Sequence, residues 1–480
     1  MVRGFYANVC IIGWKKLDMT VGGITMKRVV SLLLVLVLAF SMVACGSNNA
    51  NTGTNAGTNT ATNEETTETT TEVEEATGLE ATISVQVESD WLEYYEAAKQ
   101  RVLEQNPKAT INFIETGSFD HIDVLDGTDV TNPDVADLFA IPADRIYGFA
   151  KNEFLASLDA KGIANVVGGF EDYDNGLGGN FNVDGDYLAF PMNIETLIIF
   201  ANAANAEANG LDLSSTIEFN ELNYEDMLIP AHNTWFGVAM ANAGNIEMLG
   251  IKEDGTFFTD LTTDFADLPQ EKQEVFKTLF NFWQAHDEAG TDMWDKEATW
   301  GYMDSVFTSG GTNSLRIDGP WGTQGFVDKS NDGADLAVLP INQVTIAGSP
   351  LAHWQGGWGL AVNARVEGND DQMKLAEAMI EEIVNTDYAV DFFKSTGKIL
   401  ENVDADTYAN SDLSETDKKV VAAVIESYNA APARPLFSEW GNVWGTWENS
   451  VLSWSAVKPA TVEEAYAEVQ AAFKAMMGNF

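Results

Sequence analysis

The chain has 480 residues, of which 73 are acidic and 26 are basic, so its formal net charge is −47. Nucleic acids and anionic lipid headgroups repel such a charge, and the composition therefore argues against both as partners. Hydrophobic residues make up 45% of the chain, which is enough to fill sizeable cores. The part that follows residue 78 has about 400 residues, more than one ordinary core accommodates, so at least two lobes are expected.

The N-terminal region has the pattern of an export signal. Residues 1–25 are interpreted as an upstream start extension, because Met26 opens a complete signal of its own. Two basic residues are followed by an apolar run that is too short for a bilayer core, which needs about 20 apolar residues. Residues 26–44 are therefore predicted to be a signal peptide that is removed from the mature chain.

The predicted signal ends at a cysteine. Met42 to Cys45 resembles the bacterial lipobox, so Cys45 is the predicted lipidation site, with an ordinary signal peptide as the alternative. Cys10 is the other cysteine, and its removal with the signal leaves no disulfide and no cysteine-type zinc site. Residues 45–78 are rich in Ser, Asn, Thr, Gly and Glu and are predicted to be a disordered tether.

Strand and helix patterns alternate after the tether. Apolar alternation predicts strands at 82–87 and 109–115, with a helix at 91–105 between them. The other elements predicted in the first half are a buried strand at 134–140, a helix at 145–158, and adjoining strands at 187–191 and 195–202. This is a β-α-β opening followed by further alternation, which favours an α/β architecture with mixed, largely parallel sheets.

The second half continues the same alternation. Helices are predicted at 270–285 and 373–393, and strands at 314–318, 335–339 and 358–364. The tail at 461–477 has helical periodicity, and Thr461 and Glu464 stand at the spacing of a capping box. The tail is therefore predicted to be a capped amphipathic helix.

Few residues carry a pattern typical of catalysis or metal binding. The four histidines, His121, His232, His286 and His353, share no zinc-site spacing, so no metal and no cofactor are predicted. The sequence has no GxSxG elbow, no P-loop and no GxGxxG after a strand. The Asp-rich segment 120–137 does not match the calcium loop and is interpreted as a solvated loop, with calcium binding left open.

Tryptophan is concentrated near the C-terminus. Four of the thirteen tryptophans, Trp440, Trp444, Trp447 and Trp454, fall within fifteen residues at offsets that place them near one face of a helix. Such a face either builds core or offers a flat apolar platform, for example to the C–H face of a pyranose ring. We predict that Trp444 reaches a ligand and that Trp447 lies in the core.

A further indole follows a predicted strand, in Gly319-Pro320-Trp321, where a turn would present it at the edge of a cleft. The surrounding segment 316–326, with 307–310 before it and 336–340 after it, resembles family 1 of the extracellular solute-binding proteins of ABC transporters, particularly its maltodextrin-binding members. The segments 139–158, 184–202 and 431–467 resemble other parts of that family in the same order.

The resemblance implies a fold as well as a function. The expected architecture is a two-lobed, periplasmic-binding-protein-like α/β fold with hinged mixed sheets and a ligand cleft between the lobes. Residues 79–195 plus about 354–402 would form the N-lobe. Residues from about 196 to 353 plus 403–480 would form the C-lobe.

The resemblance also implies site residues. Asp144 and Arg145 match the family's pair that hydrogen-bonds sugar hydroxyls, and Glu195 matches its acid at the first crossover. Trp321 and Trp444 match its stacking tryptophans. We expect Trp321 and Glu195 to lie in one cleft and to approach each other when sugar binds.

Several positions depart from the family's pattern, which leaves the sugar's linkage and length open. Asp90 stands where an Asp-Lys pair is expected, with Trp91 replacing the lysine. Trp235 replaces a tyrosine, and Trp440 is an additional indole. Three further replacements, of an acid, a tryptophan and an arginine, are Asn233, Ile141 and Glu448. The predicted ligand-binding set is Asp90, Trp91, Asp144, Arg145, Glu195, Trp235, Trp321, Trp440 and Trp444.

The implied function is that of a receptor rather than an enzyme. The chain would be a monomer, anchored through Cys45 to the extracellular face of the cell membrane, which captures an oligosaccharide of maltodextrin type by cleft closure and delivers it to ABC permease subunits. Two alternatives stay open. A secreted glycoside hydrolase would also combine aromatic subsites with carboxylates, and a lipoprotein could bind carbohydrate without transporting it.

Overall fold

The computed structural model describes residues 78–480. The predictions for the upstream extension, the signal peptide, Cys45 and the tether up to residue 77 lie outside these residues. In the described part, no helix is both long enough and apolar enough to cross a membrane.

The strands are short, and most belong to two mixed sheets. They are β1 (Thr82–Val87), β2 (Thr110–Glu115), β3 (Leu138–Pro142), β4 (Asn182–Val183), β5 (Asp186–Tyr187), β6 (Phe190–Glu195), β7 (Ile198–Asn202), β8 (Ile217–Glu218), β9 (Met227–Leu228), β10 (Gly250–Ile251), β11 (Phe257–Phe258), β12 (Leu315–Asp318), β13 (Leu336–Pro340), β14 (Val344–Ile346), β15 (Ser349–Pro350) and β16 (Gly356–Val362).

Helices cover the sheets. They are α1 (Leu92–Gln105), α2 (Ser118–Gly127), α3 (Ile146–Lys151), α4 (Ala160–Val167), α5 (Leu177–Asn180), α6 (Ala203–Asn209), α7 (Thr234–Ala243), α8 (Gln270–Ala289), α9 (Thr299–Phe307), α10 (Thr323–Lys329), α11 (Asp370–Ile383), α12 (Ala389–Thr396), α13 (Ala405–Ala409), α14 (Glu415–Ala430), α15 (Gly441–Leu452), α16 (Trp454–Val457) and α17 (Val462–Met477).

The first sheet has the strand order β2-β1-β3-β16-β6. Strands β1 and β2 pair in parallel, as the β-α-β opening predicts, whereas β16 runs antiparallel to both β3 and β6. The second sheet has the order β13-β7-β12-β9, and its strand β7 is antiparallel to both neighbours. These mixed sheets with helices around them confirm the predicted α/β fold class. The prediction that the sheets are largely parallel is wrong, because β7 and β16 each run antiparallel to both of their neighbours.

Three segments connect the two sheets at nearly the same place. The first passes from Glu195 at the end of β6 into β7, and the second enters β16 at Gly356, which pairs with Glu195. The third follows α14, where Ala433 forms a parallel bridge with Gln355. A bundle of adjacent crossing segments of this kind is where two lobes can rotate against each other with little change elsewhere.

The buried hydrophobic residues form two cores, and the first core extends from the first sheet onto one face of β7 and the start of β13 in the second sheet. The first core contains Val85, Phe139 and Leu360, and the second contains Phe276 and Trp447. The buried residues of α13 and α14 pack with the first core, although α14 also packs against β13 of the second sheet. The lobe limits stay a prediction, and the region from 403 to 430 is the part that contacts both sides.

Several predicted elements have wrong limits. The helix predicted at 145–158 is confined to α3, because Glu153 adopts a left-handed φ of 56° and Leu155 then forms a bridge with Asn363. The helix predicted at 373–393 is two helices, α11 and α12. Asn385 separates them, since its side chain caps the turn that follows by accepting from the backbone N–H of Asp387 at 3.0 Å.

The strand limits are shifted as well. The strand predicted at 134–140 begins only at Leu138, because the Asp137 carboxylate accepts from the Ser84 N–H at 2.7 Å and pairs with Arg365 at 2.6 Å. The strands predicted at 187–191 and 195–202 are divided differently, so that Glu195 ends β6 and a break at residues 196–197 precedes β7.

The Asp-rich segment 120–137 is not a loop throughout. Its first part continues the helix α2, whose residues Ile122 and Leu125 are fully buried. The interpretation as a solvated loop was therefore wrong up to Gly127, because those two apolar residues recur on the inner face of a helix. Within residues 78–480, no group of three or more His, Cys, Asp or Glu side chains is arranged to hold a metal ion.

The C-terminal helix has the predicted cap. Thr461 accepts from the Glu464 N–H at 3.3 Å, and the Glu464 carboxylate accepts from the Ala460 N–H at 2.7 Å. Each interaction satisfies an N–H group at the start of α17 that has no partner within the helix. The prediction of a capped helix at 461–477 is confirmed.

A buried carboxyl group lies beside the crossing segments. Glu401 follows the bridge between Ile194 and Ile399, and its Oε1 accepts from the Leu177 N–H at 2.6 Å. Its Oε2 is buried and has no hydrogen-bond partner in the described part of the chain. Burial raises the pKa of Glu401 from 4.5 to about 7, against the opposing effect of the Leu177 N–H.

Candidate functional site

A cavity of ≈ 840 Å³ lies where the two sheets face each other. This volume is within the range of small-molecule sites, about 300 to 1,000 Å³. Seven of the nine predicted ligand-binding residues line it, namely Asp144, Arg145, Glu195, Trp235, Trp321, Trp440 and Trp444. The cavity therefore brings together residues that are up to three hundred positions apart in the sequence.

The first sheet contributes one side of the cavity. Asp144 and Arg145 lie in a short 3₁₀ turn that begins directly after β3, and Glu195 is the last residue of β6. Trp358 of β16 lies beside them, and the strand register shifts immediately after it. These side chains are held at strand ends on a rigid sheet, which fixes their positions better than a long loop would.

The second sheet contributes the facing side. Trp321 is in the 3₁₀ turn that follows β12, and 53% of its surface is exposed. Its indole lies against Gly319, where a Cβ atom would stand 2.1 Å from the ring, so the turn requires glycine there. Trp235 is the second residue of α7, and the Asn233 side chain caps this helix by accepting from the Trp235 N–H at 3.1 Å. As predicted, Trp321 and Glu195 line one cavity.

The C-terminal indoles divide between cavity and core. Trp447 and Trp454 are fully buried, which confirms the prediction that Trp447 belongs to the core. Trp444 is half-buried and lines the cavity, and Trp440 lines it although only 5% of its surface is exposed. Contact between Trp444 and a ligand stays a prediction.

The cavity-lining indoles of this lobe form one cluster. Trp235 and Trp444 are nearly parallel, with an interplanar angle of 27° and a centroid separation of 6.4 Å. Trp440 packs edge-on to Trp444 at 4.8 Å, and the buried Trp354 packs edge-on to Trp440 at 4.9 Å. Each indole is held by its neighbours, so the aromatic surface is rigid before any ligand arrives.

Polar groups are positioned beside the aromatic surfaces. The Trp358 indole donates to Glu195 Oε2 at 3.0 Å and thereby orients that carboxylate. Arg434 Nη2 lies 3.0 Å from Asp144 Oδ1, in an ion pair that connects the two sides of the cavity. Arg145 pairs with Asp126 of α2.

A lysine lies close to the first side of the cavity. The Lys398 ammonium is 5.0 Å from the ring centroid of Trp358 and 5.2 Å from that of Trp91, within the range of cation–π contact. Burial lowers the pKa of Lys398, and the charges of Glu195 and Glu88 oppose this shift.

Two predicted residues are not brought to the cavity. Trp91 is buried beside Tyr95, with ring centroids 6.0 Å apart, and Asp90 is exposed on the preceding turn. Neither lines the cavity. Ligand binding by Asp90 and Trp91 stays a prediction, and their positions away from the cavity do not support it.

Sequence reasoning missed several lining residues. Phe119 is 62% exposed and meets Trp358 edge-on at 5.0 Å, but an exposed phenylalanine in a helix gives no signal that separates it from core. Arg434 did carry a signal, because it is a basic residue beside a proline and a run of indoles in an acidic chain. The other lining residues outside the predicted set are Pro142, Gly148, Asn233, Trp358, Pro435, Phe437, Ser438 and Gly441.

The histidines are not part of the cavity lining. All four are buried, and burial lowers the pKa of His121, His232 and His286 to about 4 and that of His353 to about 3. His353 contacts the Trp235 carbonyl at 2.9 Å, and its ring packs against the Trp235 indole with a centroid separation of 4.2 Å. These residues are neutral core groups at physiological pH.

Two sheets joined by adjacent crossing segments, with an aromatic cavity between them, define a two-lobed architecture. No family model matches the chain. The maltodextrin-binding protein MdxE of Bacillus subtilis (strain 168) is 24% identical to it over 398 residues, which cover 79% of this chain and 86% of that protein.

Solved structures have the same architecture. The maltose-binding periplasmic protein MalE from Listeria monocytogenes, in complex with maltose, matches with a TM-score of 0.62 and 17% identity, over 83% of this chain and 98% of that chain. MalX from Streptococcus pneumoniae, in complex with maltopentaose, matches with a TM-score of 0.62 and 17% identity, over 82% and 99% respectively.

These similarities show the fold. The chain has the two-lobed α/β fold of periplasmic-type solute-binding proteins, and it resembles family 1 of the extracellular solute-binding proteins. The matched proteins are named as binding proteins rather than as enzymes.

Proposed function

We propose that this chain is the substrate-binding receptor of an ABC importer. It captures an oligosaccharide of maltodextrin type in the cleft between its lobes. Cys45 anchors it by lipid to the extracellular face of the membrane, and permease subunits receive the sugar. The maltodextrin-binding relative and the sugar complexes of the similar structures support the sugar class.

The observation that carries this proposal is the composition of the cavity. Broad apolar faces of Trp321 and Trp444 line the same cavity as the carboxylates of Asp144 and Glu195. A pyranose presents C–H groups on its faces and hydroxyls around its edge. Indole faces suit the C–H groups, and charged hydrogen-bonding groups suit the hydroxyls.

The crossing segments supply a mechanism of capture. Glu195 and Gly356 belong to two of these segments, and they pair with each other directly beside the cavity. Rotation about them would bring Trp321 of one lobe toward Glu195 of the other. A sugar that contacts both lobes favours the closed state by the difference between its affinities for the two states.

The site's polar contacts favour binding over hydrolysis. Glycoside hydrolysis requires two carboxyl groups that can serve as acid and as base or nucleophile. The two acids in the cavity lining are engaged otherwise, since Asp144 is paired with Arg434 and Glu195 accepts from Trp358. Both contacts hold these carboxylates in place as groups that can accept hydrogen bonds from sugar hydroxyls.

A panel of sugars tests the ligand class. We expect maltose, maltotriose and maltotetraose to raise the melting temperature of the protein, because a ligand that binds only the folded state stabilises it. Cellotriose and xylotriose serve as linkage and sugar controls. Chromatography of the same mixtures after prolonged incubation should show intact sugars. Shortened products would support the hydrolase, and no stabilisation by any sugar would contradict the receptor.

A further inference from the structure

We infer that Arg434 is a positioning residue for sugar capture, which neutralises Asp144 so that this carboxylate can be enclosed between the lobes. The inference rests on the proposed function and extends it to a residue outside the predicted set. It concerns the ion pair between Arg434 and Asp144.

Arg434 lies where the chain crosses between the two lobes. It follows Ala433, which bridges to Gln355, and the Gln355 N–H donates to the Pro432 carbonyl at 2.9 Å. Its backbone is therefore part of the third crossing segment. Its side chain is 5% exposed and lines the cavity.

Two indoles hold the guanidinium. Its carbon lies 5.1 Å from the ring centroid of Trp235 and 5.4 Å from that of Trp354. A guanidinium is planar and weakly hydrated, so it can stay charged against aromatic faces where an ammonium would lose more hydration. Arg434 is thus fixed on the indole cluster of the second lobe while its charge points toward Asp144 of the first.

The charge of Asp144 has few other partners. Arg145, its neighbour in sequence, pairs instead with Asp126. Glu195, the other acid in the cavity lining, is also negative. Among the ion pairs of residues 78–480, the cation next to Asp144 is Arg434.

Sugar binding makes this compensation necessary. The Asp144 side chain is 21% exposed in the sugar-free structure, so water still reaches part of it. A sugar that covers the remaining surface removes that water, and a carboxylate enclosed without a compensating cation is strongly unfavourable. Loss of Arg434 should therefore penalise the sugar complex more than the free protein.

Four variants test this: Arg434→Met, Arg434→Lys, Asp144→Asn and the double variant Arg434→Met/Asp144→Asn. Affinity for maltotriose, or for the best sugar of the panel, is measured by calorimetry. We expect Arg434→Met to weaken binding at least about tenfold, because it leaves a buried charge unpaired. Arg434→Lys should recover part of that loss, since it restores the charge but not the planar stacking.

The double variant gives the decisive comparison. In the native background, Asp144→Asn should weaken sugar binding. In the Arg434→Met background, Asp144→Asn should leave sugar binding unchanged or improve it, because it removes the unpaired charge. A purely structural role of Arg434 would give no such rescue. Lys161→Met, which removes an exposed cation paired with Asp174, is the matched control and should bind normally.

Two outcomes overturn the inference. Either Arg434→Met binds sugar as tightly as the native protein, or the losses from Arg434→Met and Asp144→Asn simply add. If Arg434→Met fails to fold, Arg434→Gln takes its place, because it also removes the positive charge, and Asp144→Asn is then compared within that background in the same way. A native protein that binds no sugar is a different result, which refutes the proposed function itself.

Discussion

The two C-terminal tryptophans allow a sharp test of how the helix α15 is divided between core and cavity. Trp447 is fully buried in the second core, and its indole donates to the Ala231 carbonyl at 2.9 Å. Gly237 lies so close that a Cβ atom there would be 2.5 Å from the indole nitrogen. These contacts show that the indole is tightly packed, and neighbours in a tightly packed core have little freedom to fill the space that its removal opens.

The expected cost follows from that packing. Trp447→Ala removes a whole indole from a site that cannot collapse, and such changes cost about 3 to 5 kcal/mol of unfolding free energy. Trp447→Phe keeps most of the ring but removes the donor to Ala231, which should cost about 1 to 3 kcal/mol. Trp444→Ala removes a half-buried indole that faces the cavity, so it should cost clearly less than Trp447→Ala.

Urea unfolding followed by far-ultraviolet circular dichroism measures these differences without relying on tryptophan fluorescence. Calorimetry with maltotriose then reports affinity for each folded variant. We expect Trp444→Ala to lose sugar affinity with little loss of stability, and Trp447→Phe to show the opposite. Equal destabilisation by Trp444→Ala and Trp447→Ala, or a normal affinity in Trp444→Ala, would refute the assignment of the two faces.

Three further predictions concern other parts of the chain. Cys45→Ala should release the protein from cells into the medium, and equal retention of the variant in the membrane fraction would refute lipidation at Cys45. Trp321→Ala should weaken sugar binding in calorimetry by up to about 3 kcal/mol, as expected for loss of one stacking face, and full affinity would exclude Trp321 from the site. Because the pKa of Glu401 is about 7 in the folded protein and 4.5 ordinarily, its contribution to stability declines as pH rises between these values. Glu401→Gln should therefore gain up to about 3 kcal/mol relative to the native protein at pH 8 and nothing at pH 4; a pH-independent difference in urea unfolding would contradict this.

Local sequence patterns predicted most elements but not their limits. The capped helix at the C-terminus follows from Thr461 and Glu464 alone, because a cap is a local interaction. The break at Asn385 was missed, since the apolar periodicity continues across it while the side chain of Asn385 caps a new turn. The start of β3 depends on Arg365, more than two hundred residues away, which no local pattern reveals.

Site residues that belong to family motifs could be predicted from the sequence. Contacts between residues that are far apart in the sequence could not. Trp321 and Glu195 were placed in one cleft because Trp321 follows a predicted strand and Glu195 matches the family's acid at the first crossover. The pairing of Arg434 with Asp144 was missed, because nearly three hundred residues separate them and only the folded chain makes them neighbours. The burial of Trp91 was missed, because a replacement at a motif position does not reveal that the new side chain packs into the core.

Small-angle scattering with and without maltotriose tests the central claim most directly, which is that a sugar draws the two lobes together over the cavity. The radius of gyration should fall when saturating sugar is added, because Trp321 and Glu195 approach each other as the lobes rotate about the crossing segments. Cellotriose, at the same concentration, is the control and should leave the radius unchanged. A radius that does not change while calorimetry shows the maltotriose site to be full would contradict capture by closure.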